Sequence, residues 1–159
     1  MKYDAFISYR HTPLDMEVAK KLHKTLETYH IPRSVQKKTG KKRINRVFRD
    51  QEELPIGSDL NDNISGALKE SEYLIVICSP NTPESYWVLK EIESFIELHD
   101  REHILAILID GEPNESFPAP LLTDEKESAQ LCILGGRRGC PGVLLRAQHR
   151  LGAVHGGAG

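Results

Sequence analysis

The chain of 159 residues is short of several things, and each shortage narrows what it can be. It has three cysteines, Cys78, Cys132 and Cys140, an odd number with no CxxC spacing. That spacing supports neither a disulfide framework nor a thiolate metal site, and a cytoplasmic location is expected. No apolar run approaches the length of a membrane span. Met1-Lys2 leads straight into an apolar segment, so no signal peptide is expected. The net charge of −2 is too balanced for a polyanion binder or a membrane-surface protein. GxGxxG, Walker A, GxSxG and HExxH patterns are all missing. His99 and His103 stand four apart where a helix is ending, with no third ligand in view, so no metal is expected.

What is present is ordinary for a globular domain: 39% hydrophobic and 28% charged residues, in a chain long enough to bury a core. Residues 3–9 read as a first strand ending at Ser8-Tyr9-Arg10-His11. Asp15 is placed to cap a helix whose stripe is Val18, Ala19, Leu22, Leu26 and Tyr29. A basic stretch follows (Lys37, Lys38, Lys41, Lys42, Arg43, Arg46). It lacks the aromatics of a single-strand binder and reads as a solvated loop. Residues 44–49 form a short second strand running into a polar loop, 50–59, punctuated by Pro55 and Gly57. Ser58 or Asp59 then caps a helix through Leu60, Ile64, Ala67 and Leu68.

The unbroken apolar runs at 73–78 and 103–109 mark strands buried on both faces, as in a parallel sheet. Four clear strands alternating with helices, plus a weak fifth at 130–134, predict an α/β fold. It is a flavodoxin-like doubly wound parallel sheet with helices on both faces. From Ser128 onward there is no Asp, Glu or Lys, but four Arg and eight of the twelve Gly. The 21 basic residues less those four leave 17 against 23 acidic ones, about −6 over residues 1–127. The domain is therefore drawn at 1–127, or to 134 with the fifth strand. Residues 135–159 are expected to be a flexible tail whose composition looks foreign to the rest.

Between the third and fourth strands, Thr82 is expected to cap a helix with Pro83 at its first position, running to about residue 100. Its apolar stripe is Val88, Leu89, Ile92, Phe95 and Ile96. At about 100° per residue, Trp87 sits roughly 140° from the stripe's centre and Glu91 roughly 100°. An aromatic and a carboxylate thus share a helix flank near the C-terminal end of a buried strand, where open α/β sheets place ligand sites. Taken alone, Glu91 is a solvated carboxylate, Trp87 a partial core or partner residue, Arg10 a surface ion pair and Asp50 a loop cap. A phosphoacceptor receiver domain is excluded by Ser79, which stands where that chemistry needs an Asp.

Three motifs, in order and spacing, resemble Toll/interleukin-1 receptor (TIR) domains. Tyr3-Asp4-Ala5-Phe6-Ile7-Ser8-Tyr9-Arg10 resembles their opening box. Phe48-Arg49-Asp50 through Leu54-Pro55-Ile56-Gly57 is similar to their second strand and long loop. Ser71-Glu72-Tyr73 through Ser79-Pro80, with Ser85-Tyr86-Trp87-Val88-Leu89-Lys90-Glu91, resembles the third strand and its helix. The likeness covers about residues 1–112, and the basic insert before Arg46 looks like the bacterial branch. After Pro120 a clear fifth strand and last helix are missing. The resemblance implies either an enzyme that cleaves NAD in a bacterial immune or defence system, or a non-catalytic scaffold acting by homotypic TIR–TIR assembly.

In the family's enzymes a Glu four residues after a Trp is essential, which implies a catalytic role for Glu91. It further implies substrate contacts from Ser8, Arg10, Asp50, Leu54, Ser79 and Trp87, and an assembly loop with Glu52, Pro55 and Gly57. NAD is then a substrate rather than a cofactor. The partners implied are other TIR domains, not nucleic acid or membrane. The C-terminal composition makes a prediction of its own: truncation at Gly135 leaves the melting temperature within a few degrees. A large drop in thermal denaturation would show that the tail covers a sheet edge.

Overall fold

The computed structural model describes residues 1–49, 60–122 and 130–133. Its centre is a five-stranded sheet built from β1 (Tyr3–Ser8), β2 (Val47–Arg49), β3 (Ser71–Cys78), β4 (Ile104–Leu108) and β5 (Gln130–Ile133). The order is β2-β1-β3-β4-β5 and every pairing is parallel. This is the doubly wound arrangement expected from the alternating pattern, with the chain reversing direction across the sheet at β1 and β3. The register sets Ser8 opposite Val76, so the C-terminal ends of β1 and β3 lie side by side. Among the described residues no helix is long and apolar enough to cross a membrane.

Period-two alternation divides β3 between two cores. Leu74, Val76 and Cys78 face one cluster with Phe6, Val88, Ile92 and Phe95. Ile75 and Ile77 face the other with Ala5, Ile7, Tyr9 and Ala19. The first core is covered by α3 (Leu60–Lys69) and α4 (Tyr86–Leu98), and the second by α1 (Pro13–Thr28). Phe6 and Phe95 are fully enclosed, each worth about 1.5–3 kcal/mol of transfer free energy.

Several boundaries differ from the sequence expectation. Helix α1 begins at Pro13 with Thr12 as N-cap, not at Met16 with Asp15 as cap. Pro suits the first helical position because its φ is preset and it has no N–H to satisfy. The second strand is shorter than expected and starts at Val47, and β4 loses His103 to a 3₁₀ turn at Arg101–His103. Part of the expected basic loop is helical: α2 (Arg33–Thr39) follows Pro32 and stops at Gly40, whose φ of 71° is left-handed. None of its residues is buried, and beyond it Lys41 links Asp4 at 3.2 Å to Glu72 at 2.8 Å. Thr82 and Pro83 sit in a separate 3₁₀ turn, Thr82–Glu84, and Ser85 is the N-cap of α4.

After β4 come two four-residue helices, α5 (Pro113–Ser116) and α6 (Ala119–Leu122). The strand β5 pairs Leu108 with Ile133. The loop at 50–59, with its expected helix cap, and the tail at 135–159 lie outside the described residues. Gly111, in the turn after β4, has a left-handed φ of 74°. A Cβ there would meet Pro80 Cγ at 2.6 Å and Ser116 Oγ at 2.8 Å. Gly111→Ala is therefore expected to cost about 1–3 kcal/mol in denaturant unfolding, through both φ strain and the clash with a stiff ring. An unchanged midpoint would mean that the turn relaxes freely.

Candidate functional site

Helix α4 starts immediately beyond the C-terminal edge of the sheet and carries Glu91 back over it. Its buried positions are Val88, Glu91, Ile92 and Phe95, spaced i, i+3, i+4, i+7. Glu91 is thus inside the stripe, 8% exposed, rather than on a solvated flank. The sequence estimate included Leu89 and Ile96, which are only half-buried, and leaving them out turns the stripe's centre roughly 30° toward Glu91. A carboxylate buried at a core position must be hydrogen-bonded to be tolerated. Ser8 supplies that bond: its hydroxyl donates to Glu91 Oε2 across 83 residues of chain. Ser8 points to this side because it is two residues beyond Phe6, on the same face of β1.

A second carboxylate lies on the opposite face of the same edge. Asp15, in the first turn of α1, is 1% exposed. Its Oδ2 accepts a hydrogen bond from Ser79 Oγ at 3.2 Å. Ser79 is two residues past Ile77, hence on the α1 face. It is locked by Thr82, whose Oγ1 accepts from Ser79 N at 2.8 Å and lies 3.2 Å from Ser79 Oγ. Burial pushes the Asp15 carboxyl above its ordinary range, against the opposing pull of the Ser79 hydroxyl, the Arg10 charge and Thr12; Asp110 adds to the upward push. Beside it, burial, reinforced by the Asp15 charge, pushes the Cys78 thiol up to about 12.

The expected site residues are only partly brought together. Ser8 joins Glu91, whereas Ser79 is engaged with Asp15 and Thr82. Arg10 follows β1 and is half-buried near Asp15. Trp87 is 57% exposed, unlike its i+4 neighbour Glu91, so the two do not share one environment. Its ring meets Tyr86 edge-on at 5.5 Å, and Lys90 Nζ lies 5.6 Å from its centroid. Asp50, Glu52, Leu54, Pro55 and Gly57 lie outside the described residues. Arg49, which closes β2 opposite Ile7, has a buried Nε with no hydrogen-bond partner among the described residues. Among those residues no group of three His, Cys, Asp or Glu is placed to hold a metal. His99 instead faces the Leu68 carbonyl at 3.3 Å, and His103 packs its ring near Tyr73.

Sequence reasoning treated Asp15 as a cap and so missed it. The signal was there: Asp15 extends the α1 stripe Ala19, Leu22, Leu26 by one turn, as Glu91 interrupts that of α4. An acidic residue at a core-facing position is costly and marks a place worth inspecting.

A sequence model of the TIR domain matches residues 5–133, most of the chain. The chain belongs to the TIR domain family. This TIR domain is 34% identical over 115 residues to the NAD(+) hydrolase ApTIR of an Actinoplanes species. That match covers 70% of this chain but only 15% of the relative's own length. Among solved structures it is similar to the TIR domains of the activated Roq1 resistosome directly recognizing the pathogen effector XopQ. There the TM-score is 0.49 and the identity 23%, over 70% of this chain and 60% of that one.

The raised thiol gives this edge of the TIR domain a simple test. At pH 8 the Cys78 thiol is protonated and buried, so it is expected to resist aromatic disulfide reagents until the domain unfolds. With Cys132 and Cys140 replaced by Ser, stoichiometric labelling without denaturant would show that the edge opens.

Proposed function

We propose that this TIR domain is an NAD glycohydrolase or cyclase of a bacterial defence system, with Glu91 as its catalytic carboxylate. The observation that supports this most is the Ser8–Glu91 pair: a buried, oriented carboxylate at the C-terminal edge of the sheet. Similarity to a protein described as an NAD(+) hydrolase supports the choice of substrate.

The chemistry asks for little more. As the nicotinamide–ribose bond breaks, its electron pair goes to the pyridine nitrogen and nicotinamide leaves neutral, without needing a proton. Positive charge grows on the ribose as it becomes oxocarbenium-like. A fixed carboxylate beside the ribose stabilises that charge at no cost of reorganisation. The acid–base pair of ordinary glycosidases is therefore not required. Water attack at the anomeric carbon gives ADP-ribose and releases a proton; attack by another nucleophile within the substrate gives a cyclic isomer.

Arg10, following β1, suits the pyrophosphate, and the exposed face of Trp87 suits an aromatic ring once Lys90 moves aside. In this proposal the 50–59 loop, with Asp50 and Leu54 toward substrate and Glu52, Pro55 and Gly57 toward a neighbouring TIR domain, completes the site on self-association.

Concentrated protein is expected to release nicotinamide from NAD. Glu91→Gln, which keeps the shape and removes the charge, should lower turnover by about 10²–10³-fold with the fold intact. Specific activity should rise over a hundredfold range of protein concentration if assembly completes the site. Chromatography of the products checks both. No release at any concentration would leave assembly without turnover as the function.

A further inference from the structure

We propose that a basic platform at residues 30–46 docks into an acidic cleft at the end of α4 of a second copy of this chain. Both surfaces lie at the N-terminal edge of the sheet, opposite the candidate site, so the inference does not depend on NAD cleavage. It starts from how charge is distributed. Residues 28–49 hold eight basic residues and no acidic one. Taking those eight from the 17 basic residues of 1–127 leaves nine against 23 acidic, or −14, over the rest of that stretch.

The basic segment is held in a frame. Ile31 N donates to Lys42 O at 3.1 Å, and Arg43 Nη2 lies 3.0 Å from His30 Nε2, which closes its two ends on each other. Asp4, near the start of β1, pins it to the sheet. Its Oδ2 accepts from Asn45 N at 2.8 Å, and its Oδ1 pairs with Lys41 at 3.2 Å. Lys41 also reaches Glu72, near the start of β3, at 2.8 Å. Inside the frame stands α2, with Gln36 Nε2 donating to Ile31 O at 2.6 Å. A seven-residue helix that buries nothing gains no packing of its own, so the frame is what holds it. Arg33, Lys37, Lys38, Lys42 and Arg46 are exposed, and none has an acidic partner among the described residues. A solvated run of charge needs no such frame. Cations fixed in place and left uncompensated form a pre-organised surface for an acidic partner.

The chain supplies that partner chemistry itself. Glu93 and Glu97 on α4, and Asp100 and Glu102 just before β4, are exposed. The cation among them, Arg101, turns its Nη1 to the Pro120 carbonyl at 3.0 Å. Glu97 and Asp100 line a cleft of about 330 Å³ together with Ile96, Leu98, His99 and His103. Its apolar side chains suit the stem of a Lys or Arg and its carboxylates suit the charged head. In one molecule β1 and β3 separate the platform from the cleft, which lie toward the β2 and β4 sides of the strand order. The contact therefore joins two different surfaces, head to tail, and can propagate from copy to copy.

Sedimentation and light scattering of the full chain test this. Self-association is expected at low salt and should weaken about tenfold or more from about 50 to 300 mM salt. Reversing the platform (Lys37→Glu, Lys38→Glu and Lys42→Glu) should abolish it, and so should reversing the cleft (Glu97→Lys and Asp100→Lys). Each variant should keep its thermal midpoint within a few degrees, since none of the changed side chains is buried. Mixed in equal amounts, the two variants should associate again, because each then meets its opposite charge, and the particles should grow past a dimer. Should the reversal unwind α2, Lys37→Ala with Lys38→Ala keeps a good helix former and should weaken association in the same sense.

Absence of association at low salt, indifference to salt, or survival of association in both reversed variants would overturn the proposal. So would a mixture no stronger than either variant alone, or a discrete dimer that does not grow. Loss of association on truncation at Gly135, with the platform reversal silent, would give the cleft to the Arg-bearing C-terminal segment instead.

Discussion

A carboxylate on the buried stripe of a helix is costly unless something donates to it, and the arrangement of the C-terminal edge of this domain's sheet follows from that constraint. Glu91 occupies such a position on α4, and the hydroxyl of Ser8, the last residue of β1, donates to it. Because the pair joins residues 83 apart, it exists only when β1, β3 and α4 are all in place. The site is therefore assembled by the fold rather than by any local segment. The parallel register that sets Ser8 beside Val76 brings the two strand ends into line and lets α4 return across them.

The same device recurs on the other face. Ser79 stands to Asp15 much as Ser8 stands to Glu91: a serine at a strand end donating to a carboxylate on a covering helix. The two-residue period of the strands aims one serine at each side of the sheet. Asp15 lies in the first turn of its helix, where the N-terminal end of the helix dipole favours negative charge, whereas Glu91 lies in the second turn of α4. One edge of the sheet thus collects two buried carboxyl groups, with the Arg10 charge acting on one of them. Such a concentration of costly groups is the physical ground on which this edge is proposed as the site.

Much of the scaffold was legible in the sequence because the signals are local and strong. The apolar runs of β3 and β4 have no polar alternation, so they had to be buried on both faces. The alternation of strands with helices then left a doubly wound sheet as the natural answer, and the Trp87-to-Glu91 spacing drew attention to the helix on which the structure buries a carboxylate. Where boundaries were missed, local chemistry had several options of similar energy. Thr12 and Asp15 are both good caps for α1, and Thr82 and Ser85 both good caps for α4. Choosing between them took tertiary contacts: Asp15 was needed by Ser79, and Thr82 by the end of β3.

The environment of each site residue was decided by tertiary structure alone. Helical periodicity placed Glu91 on a flank because it weighs every apolar residue equally, whether or not the residue ends up covered. Packing against β3 leaves Leu89 and Ile96 half-buried and turns the helix so that Glu91 faces inward and Trp87 outward. No periodicity in one segment can report the partner of a buried charge, since the donor lies on another strand. The sequence on its own thus determined the sheet, its order of elements and the helix that bears the carboxylate. Only the packed sheet and helices decided that this carboxylate is buried, that Ser8 orients it and that Asp15 mirrors it, because burial and hydrogen bonding are properties of surfaces brought together from distant parts of the chain.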